Sequence, residues 1–405
     1  MMSTKKENKM KNYKKLGDYI EVLNRRNIDL KLGLDSVRGI SNTKQITETS
    51  KATVDESVIS KFYVINPGEF VYNPRTTRMG DKVGLAFNNT DKPLLFTFNN
   101  LAFRIKDSAK DKLIPDYLYL FFCRSEFDRY ARINSWGSAT ELFLFEDLCN
   151  IKFAVPDLKE QEKIVKTYNT ITKRIQLKQK INEKLEKTAQ CLFDKNFKEY
   201  NKFYEKEDLK TLPADWKYAI VGDFCKDNIK SISSSDEVKE ILYLDTGSIT
   251  NNKIDELQII PERDGFPSRA KRIVYDNDIV FSTVRPNLQH YGIIRKPAKN
   301  MIVSTGFSVL HNNSDRVSNE FLYMWITNDA TLSFLQSIAE NSVSTYPSIN
   351  SDDIMNIKII IPTDNILSEL NEVFRKTFLM IDYNNQEITK LQELKQLVIS
   401  RISGM

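Results

Sequence analysis

The sequence predicts an α+β fold in which two globular domains are joined by two long helices forming an antiparallel coiled coil, the whole a pseudo-two-fold internal repeat. Three observations predict it: ordered sequence echoes at nearly one spacing, two long heptad segments, and a chain of 405 residues, too long for one ordinary core.

The echoes come first, because an internal repeat changes the reading of everything else. Pro67-Gly-Glu-Phe-Val-Tyr72 and Asp276-Asn-Asp-Ile-Val-Phe281 each read as a turn running into a short apolar strand, 209 residues apart. Pro115-Asp-Tyr-Leu-Tyr-Leu120 is echoed by Ser318-Asn-Glu-Phe-Leu-Tyr-Met-Trp325 at an offset of 204. Asp147-Leu-Cys-Asn-Ile-Lys-Phe-Ala-Val-Pro156 is echoed by Asp353-Ile-Met-Asn-Ile-Lys-Ile-Ile-Ile-Pro362 at an offset of 206, with a strand closed by Pro in both. Solenoid units run to roughly 20 to 50 residues, so this is a duplicated domain with its helix.

The helices follow the Pro-closed strands. From Asp157 to about Phe197 there is no Gly or Pro, and Ile164, Tyr168, Ile171, Ile175, Leu185, Ala189 and Leu192 form a narrow apolar seam. Asp157 with Glu160 forms a capping box at its start. The second copy carries Leu370, Phe374, Ile381, Ile388, Leu391, Val398 and Ile402 in the same four-three rhythm. Polar residues interrupt both seams: Lys178 and Asn182 in the first, Thr377, Asn384 and Lys395 in the second, with Asn384 lying 206 residues after Lys178. Polar seam positions of this kind fix register in coiled coils. A helix of this length is about 50 Å long, more than a typical domain spans, so pairing of the two helices is expected over packing each on its own domain.

Composition narrows the class. Hydrophobic content of 41% and charged content of 28% describe an ordinary globular chain. No run approaches the roughly 20 apolar residues of a membrane span, and no apolar segment follows the Lys-rich N-terminus, so a cytoplasmic protein is expected. Residues 1–15 read as a basic disordered tail. Cys123, Cys149, Cys191 and Cys225 are scattered without a Cys-x-x-Cys pair, which predicts neither a zinc cage nor a disulfide framework. A net charge of +5 over the whole chain is too weak to identify a partner.

Catalytic patterns are missing. His290 and His311 fit no zinc site and no Ser-His-Asp arrangement. The chain has no phosphate-cradling Gly-rich loop, and Asn73-Pro74-Arg75 lacks the second Pro and the aromatic of an amino-methyltransferase motif. The chain is expected to bind rather than catalyse, with no metal and no cofactor of its own.

DNA-reading chemistry, by contrast, recurs at equivalent places. After the first repeated strand comes a loop with Arg75, Thr76, Arg78 and Lys82; after its counterpart come Arg285, Asn287, Gln289 and His290. Arg pairs with the major-groove edge of guanine and Asn or Gln with adenine, while hydroxyls serve phosphates. For any single one of these residues a solvated loop position is the competing reading. Further candidates are Asn99 and Asn100; Trp136 and Ser138 in Trp136-Gly-Ser-Ala-Thr140; and Ser342, Ser344 and Tyr346 in the matching loop. Arg263, Arg269, Lys271 and Arg272 form a candidate phosphate-contacting patch.

From about Leu16 to Gly404 these residues carry a family pattern. Leu212-Pro-Ala-Asp-Trp216 followed by Val221-Gly-Asp-Phe224 resembles the opening of a target-recognition domain in the specificity subunits of type I restriction-modification systems, and Leu16-Gly-Asp-Tyr19 is similar without the Pro and Trp. The Pro-closed strand followed by Lys159-Glu-Gln-Glu-Lys163 resembles the family's entry into its long helices, a signature that Thr363-Asp-Asn-Ile-Leu367 lacks.

The resemblance implies target-recognition domains at 16–156 and 201–362, a central long helix at 157–200 and a C-terminal one at 363–405. It implies that each domain reads one half of a bipartite double-stranded DNA target. It further implies that the helices dock two adenine-methyltransferase subunits, joined by restriction/translocase subunits, and that S-adenosylmethionine, ATP and Mg belong to those partners. The competing reading is a non-enzymatic coiled-coil adaptor whose duplicated domains bind protein.

Overall fold

In the computed structural model, residues 13–49, 56–76, 82–137, 140–200, 211–233, 238–255, 257–342 and 347–402 are described. The chain divides into two compact units, Met1–Gln176 with Lys390–Met405, and Leu177–Thr389.

The first unit opens with β1 (Tyr13–Lys15), β2 (Ile20–Leu23), β3 (Arg38–Ile40), β4 (Ile46–Glu48) and β5 (Tyr63–Ile65). It continues through β6 (Phe70–Tyr72), β7 (Leu85–Phe87), β8 (Leu94–Phe96) and β9 (Leu101–Ile105). Three short helices, α1 (Pro115–Phe122), α2 (Ser125–Ile133) and α3 (Phe145–Asn150), then lead to β10 (Lys152–Ala154).

An antiparallel sheet in the order β2-β9-β6-β7 is its centre. One face of that sheet, with Phe70, Tyr72, Phe87 and Phe103, packs on α1 and α2, and Phe70 stacks on Phe87 and Phe103 with centroids 4.9 and 5.0 Å apart. The other face, with Val71, Ala86 and Ala102, packs on β5 and β8. Burial on both faces is why Phe70-Val71-Tyr72 reads as a continuous apolar run instead of alternating. Pro115 sits in the first turn of α1, where its missing N–H costs nothing.

After α4 (Leu158–Phe197) the second unit repeats the plan. Its strands are β11 (Lys217–Ile220), β12 (Cys225–Asp227), β13 (Glu240–Leu244), β14 (Ile249–Thr250), β15 (Lys253–Ile254) and β16 (Gln258–Pro261). They continue as β17 (Ala270–Ile273), β18 (Ile279–Ser282), β19 (Tyr291–Ile293), β20 (Met301–Ser304) and β21 (Phe307–Asn312). Helices α5 (Asn319–Thr327), α6 (Asp329–Glu340) and α7 (Ser351–Met355) precede β22 (Lys358–Ile361) and α8 (Asp364–Ser400). The sheet order β12-β21-β18-β19 matches β2-β9-β6-β7 strand for strand. A second sheet, β16-β13-β20-β17, covers its outer face and contains the parallel pair β13 and β20.

The expected N-terminal tail is too long by three residues. Tyr13–Lys15 is a strand paired antiparallel with β10, Tyr13 opposite Ala154, as β11 pairs with β22, Lys217 opposite Ile361. Strand β10 would otherwise carry an unpaired edge beside a packed core, and pairing satisfies those backbone groups.

The long helices pair inside each unit. Asp157 Oδ1 accepts from Glu160 N at 2.9 Å and caps the start of α4. In the second unit Lys178 Nζ reaches Glu387 at 2.7 Å and Asn384 Oδ1 at 2.8 Å, and Asn182 exchanges amide bonds with Asn384 and Asn385. Partner numbers on α8 fall as those on α4 rise, so the pair is antiparallel. In the first unit Lys395 Nζ lies 4.7 Å from the Tyr168 ring centroid. Of the seam residues, Tyr168, Ile171, Ile175, Ala189, Leu370, Phe374, Ile381, Ile388 and Ile402 are buried, while Ile164, Leu185, Leu192, Leu391 and Val398 are half-buried. At the far ends Phe193 and Ile399, beside the half-buried Leu192 and Val398, are also packed into a domain core, as is Ile402.

Candidate nucleic-acid interface

Where β6 ends, the chain turns sharply: Asn73 Oδ1 accepts from Arg75 N at 3.0 Å, and Asn73 N bonds Gly84 O at 2.7 Å. The next residues form a short ladder with the segment before α3. Phe143 N bonds Pro74 O at 2.8 Å, Thr76 N bonds Glu141 O at 3.1 Å, and Arg75 bridges Leu142. Leu142 also bridges Trp136, through bonds of 2.9 and 3.1 Å. Two loops predicted separately are therefore one surface, with Arg75 half-buried and Trp136 68% exposed. Gly137 has φ +140, and a Cβ there would lie 2.2 Å from Thr140 O, so this turn admits only glycine. Below the ladder Tyr72 Oη donates to Phe143 O at 3.1 Å, and burial pushes its pKa well up, keeping it a neutral donor.

The returning end of that loop is pinned from a third direction. Val83 N bonds Asp128 Oδ1 at 2.9 Å, and Lys44, only 4% exposed, holds both oxygens of Asp128 at 2.6 and 2.7 Å.

The second unit builds the same ladder. Ile349 N bonds Thr283 O at 2.8 Å, Arg285 N bonds Pro347 O at 3.0 Å, and Val284 bridges Ser348. These bonds match the first set at the repeat offsets, so Thr76 corresponds to Arg285 and Arg75 to Val284. Beyond the ladder the support differs. Arg285 and Gln289 flank a single 3-10 turn, both in the left-handed region at φ +49 and +58. Asn287 N bonds Gln336 Oε1 on α6 at 3.2 Å. The hairpin of β14 and β15, with Asn251 and Asn252 at positive φ in its two-residue turn, lies against the loop. Asn251 N bonds Gln289 O at 2.8 Å, Asn252 Oδ1 accepts from Ile293 N at 2.8 Å, and His290 Nδ1 donates to Ile249 O at 2.7 Å. A Cβ on Gly292 would come within 2.7 Å of Ile249, so glycine allows the hairpin to seat.

Arg285, Asn287 and Gln289 are exposed and His290 is half-buried. Arg269, just before β17, and Lys271, on β17, are exposed, and Arg269 O accepts from Thr305 N in a turn whose Gly306 O accepts from Thr283. Arg269 is therefore tied to the loop through residues 305 and 306. Arg272 departs from the expected patch: it is half-buried, its Nη1 has no partner among the described residues, and burial lowers its pKa. Asn100 spends its amide on Thr97 in its own turn, while Asn99 and Lys82 are exposed. Ser342 Oγ accepts from Ser348 N at 3.4 Å beside the ladder. Arg78, Ser138, Ser344 and Tyr346 lie outside the described residues.

Sequence reasoning missed Lys44, Asp128, Leu142, Gly306 and the Ile249–Ile254 hairpin. Only the Asn251-Asn252 pair, a residue type that tolerates positive φ, carried a local signal. Among the described residues there is no cluster of His, Cys, Asp and Glu able to hold a metal, and no helix is long and apolar enough to cross a membrane.

A family model described as the type I restriction modification DNA specificity domain matches residues 6–187 and again 213–396. The chain is 27% identical over 183 residues to the specificity subunit of the type I restriction enzyme HindI from Haemophilus influenzae, a match covering 45% of this chain and 39% of that protein. It is 24% identical over 309 residues to the MjaIX specificity subunit from Methanocaldococcus jannaschii, covering 72% and 69%. In fold it is similar to the crystal structure of the S subunit of a type I restriction-modification system from M. genitalium, with a TM-score of 0.60, 12% identity and full coverage of both chains.

Proposed function

Since the chain belongs to the type I restriction-modification DNA specificity family, we propose that its two domains read the two halves of a bipartite double-stranded DNA target and that it docks methyltransferase subunits. One observation carries this reading: the same ladder is built twice, between the loop after β6 or β18 and the segment before α3 or α7, while the side chains it presents differ. A shared frame with different readers is what recognition of two unlike half-sites requires. The exposed groups suit the task, with Arg285, Asn287 and Gln289 matched to base edges and Arg269 and Lys271 to phosphates. Adenine methylation requires the base to leave the stack, so the chemistry falls to partners that clamp the DNA. S-adenosylmethionine belongs to those partners, as do ATP and Mg to restriction/translocase subunits, and the assembly works in the cytoplasm.

The test is adenine-methylation mapping of DNA treated with this chain and its methyltransferase partner. The expected product is methylation at two short sequences separated by a fixed spacer. Methylation of a single continuous sequence would overturn the bipartite reading. A protein-binding adaptor would instead show no specific DNA affinity and no steep fall of affinity with salt.

A further inference from the structure

In the first unit the amide of Gln161, wholly buried on α4, brackets the chain just before α1: Gln161 Oε1 accepts from Ile114 N at 2.9 Å, and Nε2 donates to Lys112 O at 2.7 Å. In the second unit Asn371 on α8 does the same: its Oδ1 accepts from Ser318 N at 3.1 Å, and its Nδ2 donates to Arg316 O at 2.8 Å. Lys112 and Ile114 match Arg316 and Ser318 at the 204-residue offset of α1 and α5. The amides do not match each other. At the 206-residue offset of the long helices, Gln161 corresponds to the buried Leu367, and Asn371 to Val165.

The bracket has moved one helical turn and kept the two partners before α1 and α5, while Gln161 Nε2 also donates to Pro156 O at 2.8 Å at the start of its own helix. Two positions one turn apart lie on the same helix face, so an amide at either one faces the same neighbouring chain. An aliphatic and an amide have exchanged places, and random loss would instead have left Ser318 N and Arg316 O without these bonds.

Each bracket stands at the root of a path to a recognition loop. In the first unit α1 carries Tyr119, whose Oη donates to Lys44 O; Lys44 holds Asp128, and Asp128 holds Val83 N. In the second unit α5 is followed by α6, whose Gln336 holds Asn287 N.

We propose that Gln161 and Asn371 are positioning residues that fix the seat of each recognition domain on its long helix and so confine the target to one spacer length. This rests on the bipartite reading above. A looser seat lets a domain settle on DNA with its half-site displaced, without changing the bases it reads.

The experiment maps methylation by the complex carrying wild-type chain, Gln161→Leu, the rebuilt pair Gln161→Leu with Val165→Asn, or Asn371→Ala. Wild type should give one dominant spacer. In Gln161→Leu, sites with spacers one base pair shorter or longer should rise about tenfold, the effect of roughly 1.4 kcal/mol of lost restraint, with unchanged half-sites. The rebuilt pair, which copies the second unit's arrangement, should restore the single spacer. Asn371→Ala, on the more exposed bracket, should show the same leak and keeps the test open if Gln161→Leu does not fold.

A folded single variant that loses thermal stability but keeps the wild-type spacer distribution would overturn the proposal. So would a rebuilt pair that leaks as much as the single change. A continuous wild-type site would overturn the bipartite reading itself, an outcome visible before any variant is compared.

Discussion

The loop after β6 and the loop after β18 leave the same ladder and are steadied by different devices. The first is pinned by a buried ion pair, Lys44 with Asp128, acting on Val83 N. The second is braced by the Ile249–Ile254 hairpin and by two residues held in the left-handed region. Under the first ladder Tyr72 donates to Phe143 O; at the equivalent place under the second stands Phe281, which has no hydroxyl. The difference teaches that the duplicated frame ends at the ladder. Beyond it each loop has its own supports, and so presents a different surface.

The largest expected effect breaks the first support. Lys44→Met leaves Asp128 charged, buried and without its cation, at a cost of roughly 3–5 kcal/mol. Urea unfolding of the full chain should show an early transition for the first unit, and recognition should fail at one half-site only; a loss below about 1 kcal/mol would mean the pair is not the pin.

Next comes Asn252→Ala in the second unit. It strips Ile293 N of its acceptor and places alanine at φ +62, at a combined cost of about 2–3 kcal/mol. Thermal unfolding should register it in the second unit, and hydrogen exchange at residues 285–293 should quicken while residues 73–76 stay as in wild type.

Removing a reader should cost less and act on one side. Arg285→Ala should weaken binding by about 1–3 kcal/mol if its base contact is lost, relaxing one half-site, and Arg75→Ala should act on the other. DNA titrations with each half-site altered in turn would show it, and equal relaxation of both halves by either change contradicts separate readers.

The smallest effect sharpens the comparison by making the first ladder like the second. Tyr72→Phe removes one buried hydrogen bond while keeping the ring, so about 1 kcal/mol should be lost in denaturant titration. Half-site preference should not move, since the hydroxyl faces the core.

Much of this was legible in the sequence because its signals are local or periodic. The echoes at Phe70–Tyr72 and Ile279–Ser282 became matching central strands, and the heptads became α4 and α8 with their ends close to the Asp157 and Pro362 signals. Asn384, marked as a polar seam residue 206 positions after Lys178, turned out to bond Lys178 itself. The supports of the loops were not legible. Lys44 lies 84 residues from Asp128, and nothing in either neighbourhood marks the pair. The second copy lacks the Gln of Lys159-Glu-Gln-Glu-Lys163, and nothing local marks Asn371, one turn later, as the residue that bonds the matching backbone groups.

By itself, then, the sequence determined the duplication, the α+β character, the antiparallel helices and the two loops that carry Arg, Asn, Gln and His side chains at equivalent places. Those follow from periodicity, turn chemistry and repetition, which act over a few residues or recur at one offset. Tertiary structure alone decided that Arg75 and Trp136 meet through Leu142, that Arg272 is half-buried while Arg269 and Lys271 are exposed, and that two different amides bond the chain before α1 and α5. The physical reason is that hydrogen-bond partners and burial are fixed by which distant segments the core brings together, and a backbone group accepts any side chain that reaches it.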